Sequence, residues 1–180
     1  MGVCAAPSIH SVHIYNEPRE LISRLCGIVS SSLRVGDAVL IVATSQHRDQ
    51  LVKELRSSGC NLRSHAREER YTMIDAQEML EHFMVNGMPD RELFFASIAA
   101  ILQNTKKAAR SKSQGLTIFG EMVAVLWEQR NREAALQLEA LWNEALHERG
   151  FHLHCAYPRS LFRDVGDEDL VYRAHSHFVA

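Results

Sequence analysis

The stretch Gly36-Asp37-Ala38-Val39-Leu40-Ile41-Val42-Ala43-Thr44-Ser45-Gln46-His47 decides the fold. Its apolar run reads as a buried strand, and the polar tetrapeptide after Ala43 leads straight into a helix carrying Leu51, Val52 and Leu55. A nucleotide-holding turn at this place needs glycines and a Gly-Lys-Ser/Thr ending, so that successive backbone N–H groups and a lysine cradle the phosphates. Thr44-Ser45-Gln46-His47 contains none of these residues. The geometry is that of an ATPase-like scaffold while the chemistry argues against ATP hydrolysis. Binding or sensing is the leading expectation.

The rest of the chain extends the same pattern in both directions. Residues 11–15 form a short strand-like segment, and Pro18 sits in a first helical turn, where its missing N–H costs little. Leu21, Leu25, Ile28, Val29 and Leu33 then recur at helical spacing. Residues 71–74 make another candidate strand. Asp75 is placed to cap the next helix, with Glu78 positioned to complete a capping box. Residues 86–90 stop that helix, and a longer one follows with Phe94, Ile98, Ile101, Leu102 and Thr105 on one face. The basic tail Lys106, Lys107, Arg110 and Lys112 suits the negative end of its dipole. A strand at 116–119, helices at 120–129 and 132–149, and a strand at 151–157 complete the series. Strands alternating with helices predict an α/β layered fold: a mostly parallel central sheet flanked by helices. Residues 10–158 read as one domain and residues 159–180 as its C-terminal extension, with a late strand.

Bulk properties narrow the function. At 180 residues one domain buries roughly 70% of the surface its unfolded chain exposes. With 46% hydrophobic and 23% charged residues the chain is an ordinary globular one, neither disordered nor fibrous. A net charge of −2 gives no electrostatic reason to expect nucleic acid or an anionic membrane as partner. Cys4, Cys26, Cys60 and Cys155 show no Cys-x-x-Cys spacing, which fits a reducing cytoplasm. The N-terminal residues 1–7 lack the basic and apolar regions of a secretory signal, and no stretch has the length of a membrane span. A cytoplasmic location is the expectation.

Ligands of open α/β sheets bind beyond the carboxyl ends of the strands. Tyr15, Thr44, Asp75, Glu121 and Tyr157 each fall just past or at the end of a predicted strand. Glu121 is the most pointed, because Gly120-Glu121 follows an apolar strand and opens a helix, although an acidic residue there also suits the helix dipole. Glu139 and Asn143, four apart on the last long helix, share a face. Glu121, Glu139 and Asn143 are expected to converge near the strand carboxyl edge. His152 and His154 beside Cys155, and His175 with His177, fall short of the three or four ligands zinc takes, so no metal site and no cofactor are predicted.

Six motifs in order resemble the MEDS family, the methanogen, methylotroph and dichloromethane-regulator sensory domain. They are His10 with Tyr15, Val39-Leu40-Ile41-Val42-Ala43-Thr44, Ile74-Asp75-Ala76, Phe119-Gly120-Glu121-Met122, Leu138-Glu139 with Trp142-Asn143, and Cys155-Ala156-Tyr157. The resemblance implies a RecA/KaiC-like core with a degenerate phosphate loop and carries over His10, Tyr15, Glu121, Glu139, Asn143 and Tyr157, which together with Thr44 from the strand edge make the expected ligand-binding set. It also implies a small organic ligand, in the class of hydrocarbon derivatives, and a signalling partner such as a histidine kinase or a transcription regulator. With 180 residues the chain is expected to have no room for an output domain of its own. Self-association is left open. Two alternatives stand beside this reading: an enzyme or nucleotide-binding protein using the crevice, with Glu121 as general base, and a ligand-free interaction scaffold.

Overall fold

A computed structural model describes residues 8–111 and 115–179. The readings of residues 1–7 and of Lys112 lie outside the described residues. The decisive stretch forms strand β2 (Ala38–Ala43), buried along its whole length, and helix α2 (Ser45–Ser57). Preceding them are β1 (Ile9–Tyr15) and α1 (Pro18–Val35). Gly36 ends α1 with φ +91, a left-handed turn that suits a residue without Cβ, and an added Cβ would lie 3.0 Å from the Ser111 backbone nitrogen. The chain continues through α3 (Leu62–Arg67), β3 (Tyr71–Asp75), α4 (Ala76–Glu81), the short β4 (Met84–Val85) and β5 (Met88–Pro89), and α5 (Arg91–Lys107). It ends with β6 (Leu116–Gly120), α6 (Met122–Glu128), α7 (Arg132–Arg149), β7 (His152–Pro158), a 3-10 turn, α8 (Asp167–Ala174) and β8 (His177–Val179).

The main sheet has the order β3-β2-β6-β7-β1-β8, and every neighbouring pair is parallel. Five strands form its centre, and the three-residue β8 extends the edge beside β1. The predicted α/β class, with a mostly parallel sheet flanked by helices, is what is found. Residues 159–180, which the sequence left as an extension, supply α8 and this edge strand. Among the described residues no helix is long and apolar enough to cross a membrane.

Alternation along the strands divides the core into two faces. Tyr15, Val39, Ile41, Ala43, Phe119 and Ala156 pack against α1 and α2. Val12, Ile14, Leu40, Ile118, Leu153, Cys155 and Tyr157 form the opposite face, under α5, α6, α7 and α8. The polar stretch between α2 and β3 becomes α3 because Asn61 caps it, accepting from the Ser64 N–H. Buried Arg70 then ties this segment to the end of α1, donating to the Leu33 carbonyl as well as to His65 and Glu68.

Asp75 does cap α4, accepting from the Gln77 and Glu78 N–H groups, and also receives the Arg48 guanidinium at 2.7 Å. Burial pulls the Asp75 pKa upward, but the two backbone donors and Arg48 outweigh it and hold it below the usual value. Loss of the cap in Asp75→Ala is expected to destabilise the protein by about 1–2 kcal/mol at neutral pH. A carboxyl whose folded pKa is depressed contributes fully above its unfolded pKa of about 3.9 and loses that contribution as pH falls below it. The gap between wild type and Asp75→Ala in urea unfolding should therefore narrow at acid pH; a gap unchanged down to about pH 2 would exclude this account.

Candidate functional site

The expected site residues fall into two groups. At the carboxyl end of β2, Glu121 reaches across from the end of β6, because parallel pairing of the two strands brings Val42 opposite Gly120. Its carboxylate accepts from the Thr44 backbone N–H at 2.8 Å, the Thr44 hydroxyl at 3.1 Å and His47 Nδ1 at 2.5 Å. This is the position where the first N–H groups of α2 would meet a phosphate. The chain has placed its own anion there. Tyr15 lies on the same side of the sheet, and burial together with nearby Glu121 pushes its pKa up, so its hydroxyl stays protonated.

His10, Glu139, Asn143 and Tyr157 form the second group, on the opposite face of the sheet beneath α7. His10 is the second residue of β1, pairing with Leu153, so this cluster sits toward the middle of the sheet rather than at its carboxyl edge. The hydrogen bonds of Glu121 run to Thr44 and His47, so the sheet divides the three residues expected to converge: Glu121 on one side, Glu139 with Asn143 on the other.

Glu139 is fully buried at 0% exposure, which its place in the apolar stripe of α7 dictates. It accepts the Tyr157 hydroxyl at 2.7 Å, and its other oxygen lies 3.3 Å from His10 Nε2 and 3.7 Å from Cys155 Sγ. Burial would raise its pKa, but His175, His10 and the Tyr157 hydroxyl outweigh that effect and keep it a carboxylate. Asn143 is one helical turn further on. Its amide nitrogen donates to the Ala174 carbonyl, which turns its oxygen to His10 Nδ1 at 2.8 Å.

Two members of this cluster were missed as site residues. Cys155 comes from β7, next to β1, and its thiol lies 3.3 Å from His10 Nε2. Burial and Glu139 raise its pKa well above the usual thiol value. His175 comes from the end of α8, with Nε2 3.4 Å from Glu139 and its ring 4.1 Å from that of His10. Burial pulls the His175 pKa down. The sequence signal for His175 was its spacing with His177 in a tail with no assigned fold, too few ligands on their own to mark a site. His154, adjacent to Cys155, turns to the other face of the sheet and binds the Ser11 hydroxyl at 2.6 Å. Alternation along β7 thus separates the histidine from the cysteine beside it. Among the described residues His10, Glu139, Cys155 and His175 bring four ligand-type atoms within 4.8 Å of one another.

A separate apolar cleft of about 550 Å3 opens between α5 and the start of β6 and β7. Ala99, Ala100, Leu102, Leu116 and Phe151 line it, with Gln103, Lys106 and Arg149 at its rim. Lys106 donates to the Arg149 and Gly150 carbonyls, tying the end of α5 to the end of α7.

A parallel sheet, a self-occupied anion position and a buried His/Glu/Cys cluster thus share one α/β frame. Residues 9–176 match the family described as MEDS, the methanogen/methylotroph, DcmR sensory domain. The chain belongs to this family of sensory domains. The match includes His175 and most of the segment that sequence reading set apart. No curated protein matches the chain significantly.

Proposed function

We propose that this sensory domain binds a small, largely apolar organic molecule in the cleft between α5 and the start of β6 and β7, and signals through a partner protein. The observation that carries the reading is the cleft itself: about 550 Å3, with five apolar side chains and a polar rim of Gln103, Lys106 and Arg149. That size and composition are typical of small-ligand sites, where apolar walls supply affinity and a few polar groups set orientation. The Glu121 carboxylate at the start of α2 supports a scaffold converted away from nucleotide phosphates, since an incoming phosphate would meet a fixed negative charge. A histidine kinase or transcription regulator fits as the partner because a sensory domain needs an output. The His10, Glu139, Asn143 and Tyr157 group then serves to hold α7 and the tail in place, and Tyr15, Thr44 and Glu121 fix the start of α2.

The test is a titration of the protein with short-chain alcohols and haloalkanes, read by NMR chemical shifts. Resonances of Leu102 and Phe151 should move, and Ala99→Trp, which fills the cleft, should reduce binding at least about tenfold with little change in stability. Shifts confined to residues around Glu121, or binding unaffected by Ala99→Trp, would remove the cleft from the proposal.

A further inference from the structure

Beyond small-molecule sensing, the geometry points to a buried site for a single divalent metal ion of the zinc class, held by His10, Glu139, Cys155 and His175. The four residues come from β1, α7, β7 and the end of α8, and all are buried. A tetrahedral ion with bonds of about 2.0–2.3 Å sets its ligand atoms about 3.3–3.8 Å apart. The observed separations are 3.3 Å for His10 Nε2 to Cys155 Sγ, 3.3 Å for His10 Nε2 to Glu139 Oε2, and 3.7 Å for Cys155 Sγ to Glu139 Oε2. His175 Nε2 lies 3.4 Å from the other Glu139 oxygen. His10 Nε2, Cys155 Sγ and Glu139 Oε2 are already spaced as part of a coordination shell, and with His175 Nε2 the four ligand atoms lie within 4.8 Å of one another, so His175 closes in to complete it.

The hydrogen bonds around the cluster decide which atoms face inward. His175 Nδ1 lies 2.7 Å from the Val171 carbonyl, which can only accept, so Nδ1 carries the proton. His10 Nδ1 meets the Asn143 oxygen, whose amide nitrogen is committed to the Ala174 carbonyl, so it too is a donor. Both rings therefore turn Nε2 toward the Glu139 carboxylate. This is the outer-shell arrangement that orients metal-binding histidines. His10 Nε2 also meets the Cys155 thiol, and His175 Nε2 is a buried atom with no hydrogen-bond partner among the described residues.

Charge agrees with a divalent ion. On binding, the Cys155 thiol gives up its proton to solvent as the sulfur–metal bond forms. Thiolate and carboxylate together then neutralise two positive charges inside a closed, low-dielectric site, with two neutral imidazoles completing the shell. Mixed imidazole, thiolate and carboxylate donors in fourfold arrangement suit zinc better than calcium or magnesium, which take oxygen ligands. The Tyr157 hydroxyl, bonded to Glu139 Oε1, leaves Oε2 to face His10 and Cys155. A closed shell with no open position is a structural site, and here it fastens the α8 tail to the sheet.

The full chain, unfolded and refolded with zinc and then desalted, should retain about one ion per molecule by elemental analysis. Refolding with cobalt should give a thiolate-to-cobalt charge-transfer band in the near ultraviolet that is absent from Cys155→Ser. Asn143→Ala keeps all four ligands and removes the acceptor for His10 together with the donor to the Ala174 carbonyl, so it should weaken zinc binding about 10–100-fold. His147→Gln, on the exposed side of α7, should bind as wild type does. Wild-type protein that folds yet retains less than about a tenth of an equivalent of zinc and shows no cobalt–thiolate band overturns the inference. So does zinc content unchanged in folded Cys155→Ser and His175→Gln. Should those variants fail to fold, the wild-type cobalt spectrum still decides, because it reports the Cys155 sulfur directly.

Discussion

Trp142→Ala is expected to lower the unfolding free energy by about 3–5 kcal/mol, the range for deleting a large buried aromatic side chain. Trp142 is 1% exposed and stands edge-on to Phe94, with ring centroids 5.1 Å apart, and to Phe151 at 6.2 Å. Phe94 in turn packs edge-on against Phe83 at 5.3 Å. These rings lock α7 to α5 and to the entry of β7, so the cavity left by alanine has walls from three elements that cannot all collapse into it. Part of the effect is the lost transfer of apolar surface and part is the void. Urea unfolding measures the sum. Trp142→Phe, which retains a ring, should cost clearly less, and Val35→Ala, at an exposed position, should stay within about 0.5 kcal/mol. A Trp142→Ala loss no larger than that of Val35→Ala would mean that α7 is held by something other than this aromatic stack. Because Phe151 also lines the apolar cleft, the same substitution should weaken any small-molecule binding there.

The backbone was largely legible because its signals are local. The uninterrupted Val39–Val42 run, the Pro18 and Asp75 helix starts and the Gly36 and Gly150 stops each act within a few residues, and the elements appear where those signals put them. Parallel pairing followed from the alternation of types. What local patterns could not supply is which face each polar residue takes and what lies opposite. Glu121 sits where the sequence placed it, at the end of β6, yet its partner is the start of α2, chosen by the β2–β6 register. Glu139 and Asn143 share a face as their spacing requires, and the cluster they build also needs Cys155 from β7 and His175 from α8. The latter two lay in view as a cysteine beside His152 and His154 and a histidine in an unassigned tail. Only the tertiary fold, through the parallel β1–β8 pairing that returns the tail to the sheet, brings His175 within reach of residues more than a hundred positions earlier.

Glu139→Ala is expected to cost about 3–5 kcal/mol in chelator-treated protein, as for removal of one member of a buried charged network. The loss has two sources. Tyr157, wholly buried with its hydroxyl on Glu139 Oε1, loses that hydrogen-bond acceptor, and the missing carboxylate leaves a cavity among residues that the sheet holds apart. Glu139→Gln keeps the shape and an oxygen for Tyr157, so it should cost about 1–2 kcal/mol. Tyr157→Phe removes the donor together with its need for an acceptor, and should cost about 1 kcal/mol. The double variant Glu139→Ala/Tyr157→Phe discriminates further. If an unsatisfied hydroxyl contributes to the single-variant loss, removing it restores part of the stability, and the double variant falls short of the sum by about 1–2 kcal/mol. Strict additivity would mean that Tyr157 finds another partner once Glu139 is gone, and a Glu139→Ala loss under about 1 kcal/mol would mean that the cluster contributes little to holding α7 and α8 on the sheet. Repeating the series in zinc separates the two roles of the carboxylate. The wild type should gain stability with metal, by an amount that grows with free-ion concentration, and Glu139→Ala should gain much less, because a ligand that binds only the native state stabilises in proportion to its affinity.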